Sequence, residues 1–273
     1  MPSRPFLLAV PGYHRRMPLA FTRAVSPRII DCALTHLDRQ KIDPDRAASQ
    51  HAAYEEALKD AGYEIIRLPD LAEDPDAVFV EDTALLLGEH AIITRPGAKS
   101  RAGEIFSTAV GLSPHFNVHY LPTGTLDGGD VLRIENTLYV GQSSRTDAAG
   151  TQALEALVAP LGYWVVPVEM DECLHLKTAA TFAGLDEEGV PTVLVNPDWV
   201  DPDIFSNTRA LLVPVEEPFA ANVVQAGDRL IMAAGSPGTA NMLRDFGFAV
   251  VEVDLSELQK AEAGGTCMSL LSD

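Results

Sequence analysis

Positive charge is scarce in this sequence. Across 273 residues, 20 Lys and Arg face 39 Asp and Glu, giving a formal net charge of −19 and a sequence pI near 4.6. Such a surface repels phosphate, and no basic cluster offsets it, which argues against nucleic acid or an anionic membrane as partner. Long apolar runs are missing as well: none reaches the roughly 18 residues that mark a spanning helix. The run Phe6 to Val10 is too short for a signal peptide. Cysteine is rare and odd in number (Cys32, Cys173, Cys267), so at least one thiol is free and a reducing compartment is favoured. Aromatics make up only 7 %, yet 47 % hydrophobic residues supply ample apolar surface for a core. These features describe a soluble, acidic, cytoplasmic protein, read as a single domain over residues 1–273.

What the chain does have is a repeat. The segment from Pro44 to Ala61 carries helical spacing and stops at Gly62, a natural residue just past a helix end. A β-branched run over residues 63–68 follows, then a hairpin pattern over 77–87 and 91–94. The same order of helix, strand and hairpin returns three times, with helices expected over 99–111, 147–161 and 201–208. A fifth helix and strand, 236–246 and 248–253, lead to 267–271 with no returning strand. Either Phe6 to Val10 or Phe21 to Val25 can supply that strand and close a ring. The reading is an α/β fold, a five-bladed propeller of pseudo-symmetric strand-helix-strand-strand units; an ordinary α/β sandwich is the alternative the pattern leaves open.

Polar residues open each hairpin. Glu81 and Asp82 come first; from Asp82, the residues Asp130, His175, Asn222 and Cys267 follow at intervals of 48, 45, 47 and 45. In a five-fold ring, equivalent positions converge on the axis, so carboxylates, an imidazole, an amide and a thiol would meet there. Taken singly, each has a plainer reading. Cys267 can be a small buried hydrophobe, His175 a strand histidine between leucines, and Asp127-Gly128-Gly129-Asp130 a turn. The adjacent carboxylates of Phe79-Val80-Glu81-Asp82 are harder to dismiss, because charges inside an apolar run need a partner, and a cationic ligand supplies one. Dedicated metal spacing such as Cys-x-x-Cys is absent, as are phosphate-binding glycine loops.

Several motifs, in order along most of the chain, resemble the dimethylarginine dimethylaminohydrolases of the guanidine-modifying pentein superfamily. They are Thr22-Arg23-Ala24-Val25, Asp76-Ala77-Val78-Phe79-Val80-Glu81-Asp82, Ile93-Thr94-Arg95-Pro96-Gly97, Leu126-Asp127-Gly128-Gly129-Asp130-Val131, Leu174-His175-Leu176-Lys177 and Gly265-Thr266-Cys267. The resemblance implies a five-bladed α/β-propeller and hydrolysis of asymmetric dimethylarginine and monomethylarginine to citrulline and methylamines, without a cofactor. It implies Cys267 as nucleophile, His175 as general acid and base, and Asp130 as a carboxylate binding the guanidinium. Asp76 and Asp82 would contact the guanidinium end, with Phe79 and Glu81 lining the pocket. Arg101 and Arg145 would hold the substrate α-carboxylate, and the backbone carbonyls of Leu34 and Ala261 the α-amino group. The partner is then a small guanidino amino acid, with no nucleic acid and no membrane; a homodimer stays open. No metal is required, and the soft donors Cys267 and His175 would form an incidental inhibitory zinc site. Two other readings are kept: a hydrolase or deiminase of another guanidine, such as arginine or a hydroxyguanidine intermediate, and a non-catalytic arginine-binding protein.

Overall fold

A computed structural model describes residues 17–170 and 173–273. The capping chemistry behaves as the sequence predicts. Helix α1 (Pro44–Asp60) starts with Pro44 in its first turn, where its missing N–H costs nothing. The Asp43 carboxylate accepts from the Asp45 and Arg46 amides, and Gly62, at φ +96°, turns the chain out. Strand β1 (Leu19–Thr22) precedes this helix and β2 (Glu64–Arg67) follows it, running parallel to β1.

Twelve of the remaining strands come in four sets of three. Strands β3 (Ala84–Leu87) and β4 (His90–Ile93) form a hairpin; helix α2 (Glu104–Leu112) then carries the chain to β5 (Asn117–Tyr120), parallel to β4. The same plan builds β6 (Val131–Ile134), β7 (Thr137–Gln142), α3 (Ala148–Val158) and β8 (Trp164–Glu169). It returns with β9 (Ala180–Leu185), β10 (Pro191–Val195) and β11 (Arg209–Leu212), and again with β12 (Val223–Ala226), β13 (Arg229–Ala233), the helix Pro237–Asp245 and β14 (Ala249–Val253). The last strand, β15 (Leu270–Leu271), pairs antiparallel with β1 and completes the fifth sheet. The closing strand is thus the one near Phe21; Phe6 to Val10 lies outside the described residues. Inner strands of neighbouring sheets touch, β6 with β9, β9 with β12 and β15 with β3, which gives a five-bladed propeller.

Hydrophobic burial is distributed accordingly. Five separate clusters sit beneath and between the blades; in one of them Tyr54 and Leu58 of α1 pack with Ile231, Val224 and Met268. Two expectations are corrected. The helix expected over 201–208 is a single turn, Pro202–Ile204, since the chain leaves it through Asn207 at positive φ. The hairpins also start later than expected. Apart from Asn222, the polar residues before them lie on or at the entry of one-turn helices, Val80–Thr83, Gly128–Asp130, Leu176–Ala179 and Thr266–Met268, with His175 at the entry of the third. Strand alternation would split neighbouring side chains between two faces, whereas a helical turn lets the backbone change direction and gathers them.

Candidate active site

Two of these turns, through Asp82 and Cys267, and His175 at the entry of a third line a cavity of about 30 Å³. It brings together Asp76, Phe79, Asp82, Arg101, Arg145, His175, Ala261 and Cys267 from the expected set, with Ala33 and Glu262 closing one side. The approach is tight. A β-carbon on Gly129 would lie 2.7 Å from His175 Nδ1 and 2.8 Å from Asp82 Oδ1, and one on Gly264 would lie 2.3 Å from the Asn222 side chain. Glycine is what allows the turns to nest.

Asp82 is held from two sides. Arg101 Nη1 donates to one oxygen and the Gly129 amide to the other, at 3.1 Å. Burial alone would raise its pKa, but His175 and Arg101 outweigh that and keep it below the usual carboxylate value. Arg101 is itself committed to the protein. It reaches both Glu104 oxygens at 3.0 and 2.8 Å and the Phe79 carbonyl at 2.7 Å, besides Asp82. The arginine expected to hold a carboxylate of the substrate therefore braces two carboxylates of the chain. Arg145 is less engaged: it donates to Thr35 Oγ1 at 3.1 Å and lies 3.8 Å from Asp127.

His175 Nε2 lies 3.2 Å from Asp127 Oδ2, and Nδ1 lies 3.8 Å from Asp82 Oδ1. Burial depresses an imidazolium, yet Asp82, Asp130 and Asp127 together push the pKa up to about 9. Asp127, fully buried and also accepting from the Gly97 amide at 2.8 Å, is the site residue that sequence reasoning missed. The signal was present: two aspartates bracket Gly128-Gly129, and only one was assigned to the site.

Asp130 is the correction that follows. It does not line the cavity. Its oxygens accept from Ser143 Oγ and Thr146 Oγ1, both at 2.6 Å, and from the Leu176 amide at 3.0 Å. Burial raises its pKa to about 6 despite His175 and these donors. It ties the turn bearing His175 to the start of α3 rather than presenting a carboxylate to a ligand. Glu81 is likewise turned away, accepting from Lys177 Nζ at 2.5 Å and Thr266 Oγ1 at 2.8 Å. Leu34 sits half-buried beside Ala33 and packs on the α1 cluster, with no side chain in the cavity wall. Asp76 lines the cavity and accepts from the Ala33 amide at 3.1 and 3.2 Å.

Cys267 occupies the turn Thr266–Met268, its Sγ accepting from the Gly264 amide at 3.4 Å. Burial first, then Glu81 and Asp82, pushes the thiol up to about 12. The resting pair is thus a thiol and an imidazolium, in a cavity rich in carboxylates. A planar cation entering such a cavity would stabilise a thiolate. For a metal, the fit differs from expectation: among the described residues, Asp82, Asp127 and His175 offer ligand atoms within 4.8 Å of one another, and Cys267 is outside that group.

The comparisons with known proteins agree with this geometry. The chain is 42 % identical over 255 residues to the N(G),N(G)-dimethylarginine dimethylaminohydrolase of Streptomyces coelicolor, covering 92 % of this chain and 95 % of that one. It is 36 % identical over 240 residues to the Pseudomonas aeruginosa protein of the same name, covering 87 % and 92 %. A solved structure of the Pseudomonas aeruginosa enzyme, a cysteine-to-serine mutant complexed with citrulline, superposes with a TM-score of 0.87 at 33 % identity, covering 94 % of this chain and 99 % of that one. No protein-family model matches the chain.

Proposed function

The chain belongs to the dimethylarginine dimethylaminohydrolase family, and on that premise we propose that it hydrolyses Nω-methylated arginines to citrulline and methylamines through a covalent adduct on Cys267. The observation that carries this reading is one cavity holding Cys267, the Asp127-backed His175 and the carboxylates of Asp82 and Asp76.

A guanidinium is planar, permanently cationic and resonance-stabilised, so attack on its central carbon demands charge neutralisation and close placement. Asp82, kept ionised by His175 and Arg101, accepts hydrogen bonds from the guanidinium. The incoming positive charge drives the Cys267 thiol proton out to solvent and stabilises the thiolate that burial and the neighbouring carboxylates otherwise oppose. The thiolate attacks, and the bond from the central carbon to the methylated nitrogen breaks. His175, cationic at rest, gives its proton to that nitrogen, which leaves as neutral methylamine or dimethylamine. A thiouronium remains on Cys267. Neutral His175 then takes a proton from water as the oxygen attacks; the carbon–sulfur bond breaks and citrulline leaves. Asp127 fixes the imidazole's orientation and favours its cationic form throughout.

At the other end of the substrate, Arg145 is the arginine with donors to spare for the α-carboxylate, while the Leu34 and Ala261 carbonyls receive the α-amino group. A test compares citrulline formation from dimethylarginine, monomethylarginine, arginine and hydroxyarginine at equal enzyme. Dimethylarginine and monomethylarginine should lead by kcat/KM. Preference for arginine would move the reading to a deiminase, and no citrulline from any of the four would end it.

A further inference from the structure

Glu262 joins two segments that are distant in sequence. Its carboxylate accepts from the Thr35 amide at 3.0 and 2.9 Å, the His36 amide at 2.6 Å and the Leu37 amide at 2.5 Å. Three successive N–H groups aimed at one carboxylate form an anion nest, here filled from within the chain across 227 positions of sequence. To reach it, Glu262 adopts φ +59°, a left-handed conformation unfavourable to any residue with a β-carbon.

We propose that Glu262 is a positioning residue for the α-amino end of the substrate; this rests on the function proposed above. The argument is one of peptide planes. The Thr35 N–H and the Leu34 C=O belong to the same planar, trans peptide unit, so holding the one fixes the direction of the other. The Ala261 C=O shares a plane with the Glu262 N–H itself. One residue therefore sets both carbonyls assigned to the α-amino group, one through its side chain and one through its backbone.

The same contact holds the segment over the cavity. Ala33, on one flank of Leu34, and Glu262 both line it.

The experiment measures kcat/KM of wild type, Glu262→Gln, Glu262→Ala and Glu262→Gly on monomethylarginine and on its analogue lacking the α-amino group. Each variant should lose about 10- to 100-fold on monomethylarginine, chiefly through KM, as for lost charge-assisted hydrogen bonds. On the analogue the loss should stay within about 2-fold. Glu262→Gly relieves the left-handed backbone, so if the backbone alone mattered it would match wild type; that result overturns the proposal. An equal loss on both substrates also overturns it, since general loosening of the fold makes no distinction between them. Wild type that produces no citrulline from monomethylarginine removes the function itself, an outcome distinct from either.

Discussion

Asp127 and His175 lie 48 positions apart and on turns of successive blades, yet their Oδ2 and Nε2 atoms stand 3.2 Å apart with Asp127 fully buried. Asp127 acts on the histidine together with Asp82 and Asp130. Three carboxylates overcome its desolvation and raise its pKa to about 9, so it is protonated below that value and loses its proton above it.

The pH profile of kcat/KM should therefore fall above about pH 9, where the leaving amine no longer finds a proton. Asp127→Asn removes one of the charges that favour the imidazolium. It should shift the falling limb downward by about one unit and lower kcat by about 10²-fold or more. A limb that stays in place would remove Asp127 from the pair.

Cys267→Ser should lower turnover by at least about 10³-fold while leaving the fold unchanged by circular dichroism. Serine has no readily formed anion to replace the thiolate. Mass spectrometry of wild type quenched during turnover should find the adduct on Cys267 and on neither Cys32 nor Cys173.

The two arginines should part company. Arg101→Ala leaves Asp82 and Glu104 buried without their shared cation and should cost about 3–5 kcal/mol of stability, read from denaturant midpoints. Arg145→Ala should keep its stability and raise KM for amino-acid guanidines about tenfold or more, with agmatine losing its handicap against arginine derivatives. Equal stability loss in both variants would contradict this division.

Zinc should inhibit, and a chelator should restore activity, with no metal needed for turnover. Because His175 carries a proton below about pH 9, zinc must displace that proton to bind beside Asp82 and Asp127. Inhibition should strengthen as pH rises from 6 toward 9. A chelated enzyme that is inactive and revived by zinc would replace the covalent mechanism with a metal-bound hydroxide.

The ring was legible because helix, strand and hairpin recur at a nearly constant interval, a property of spacing alone. The identity of the site's residue types was legible for the same reason. Direction was not. Asp127 and Asp130 differ by three positions around two glycines; Asp127 meets His175, while Asp130 is taken up by donors from Ser143, Thr146 and Leu176. Arg101 and Arg145 look alike in sequence, and only Glu104, three positions after Arg101, separates their roles. Glu262 carried no signal at all, because its contacts lie on a segment more than two hundred positions away.

The seam of the ring has a consequence for how this protein fails. Strand β15 meets β1 through two residue pairs, Ala20 with Leu271 and Phe21 with Leu270, supplemented by the Ser272 amide on the Leu19 carbonyl. Cys267 stands three positions before that strand, so the proposed nucleophile hangs on the shortest strand pairing among the described residues. Mild denaturant or heat that frays this junction detaches the thiol from His175 while four blades keep their hairpins. Loss of activity and loss of secondary structure are then separate events, and catalysis serves as an early gauge of a ring beginning to open.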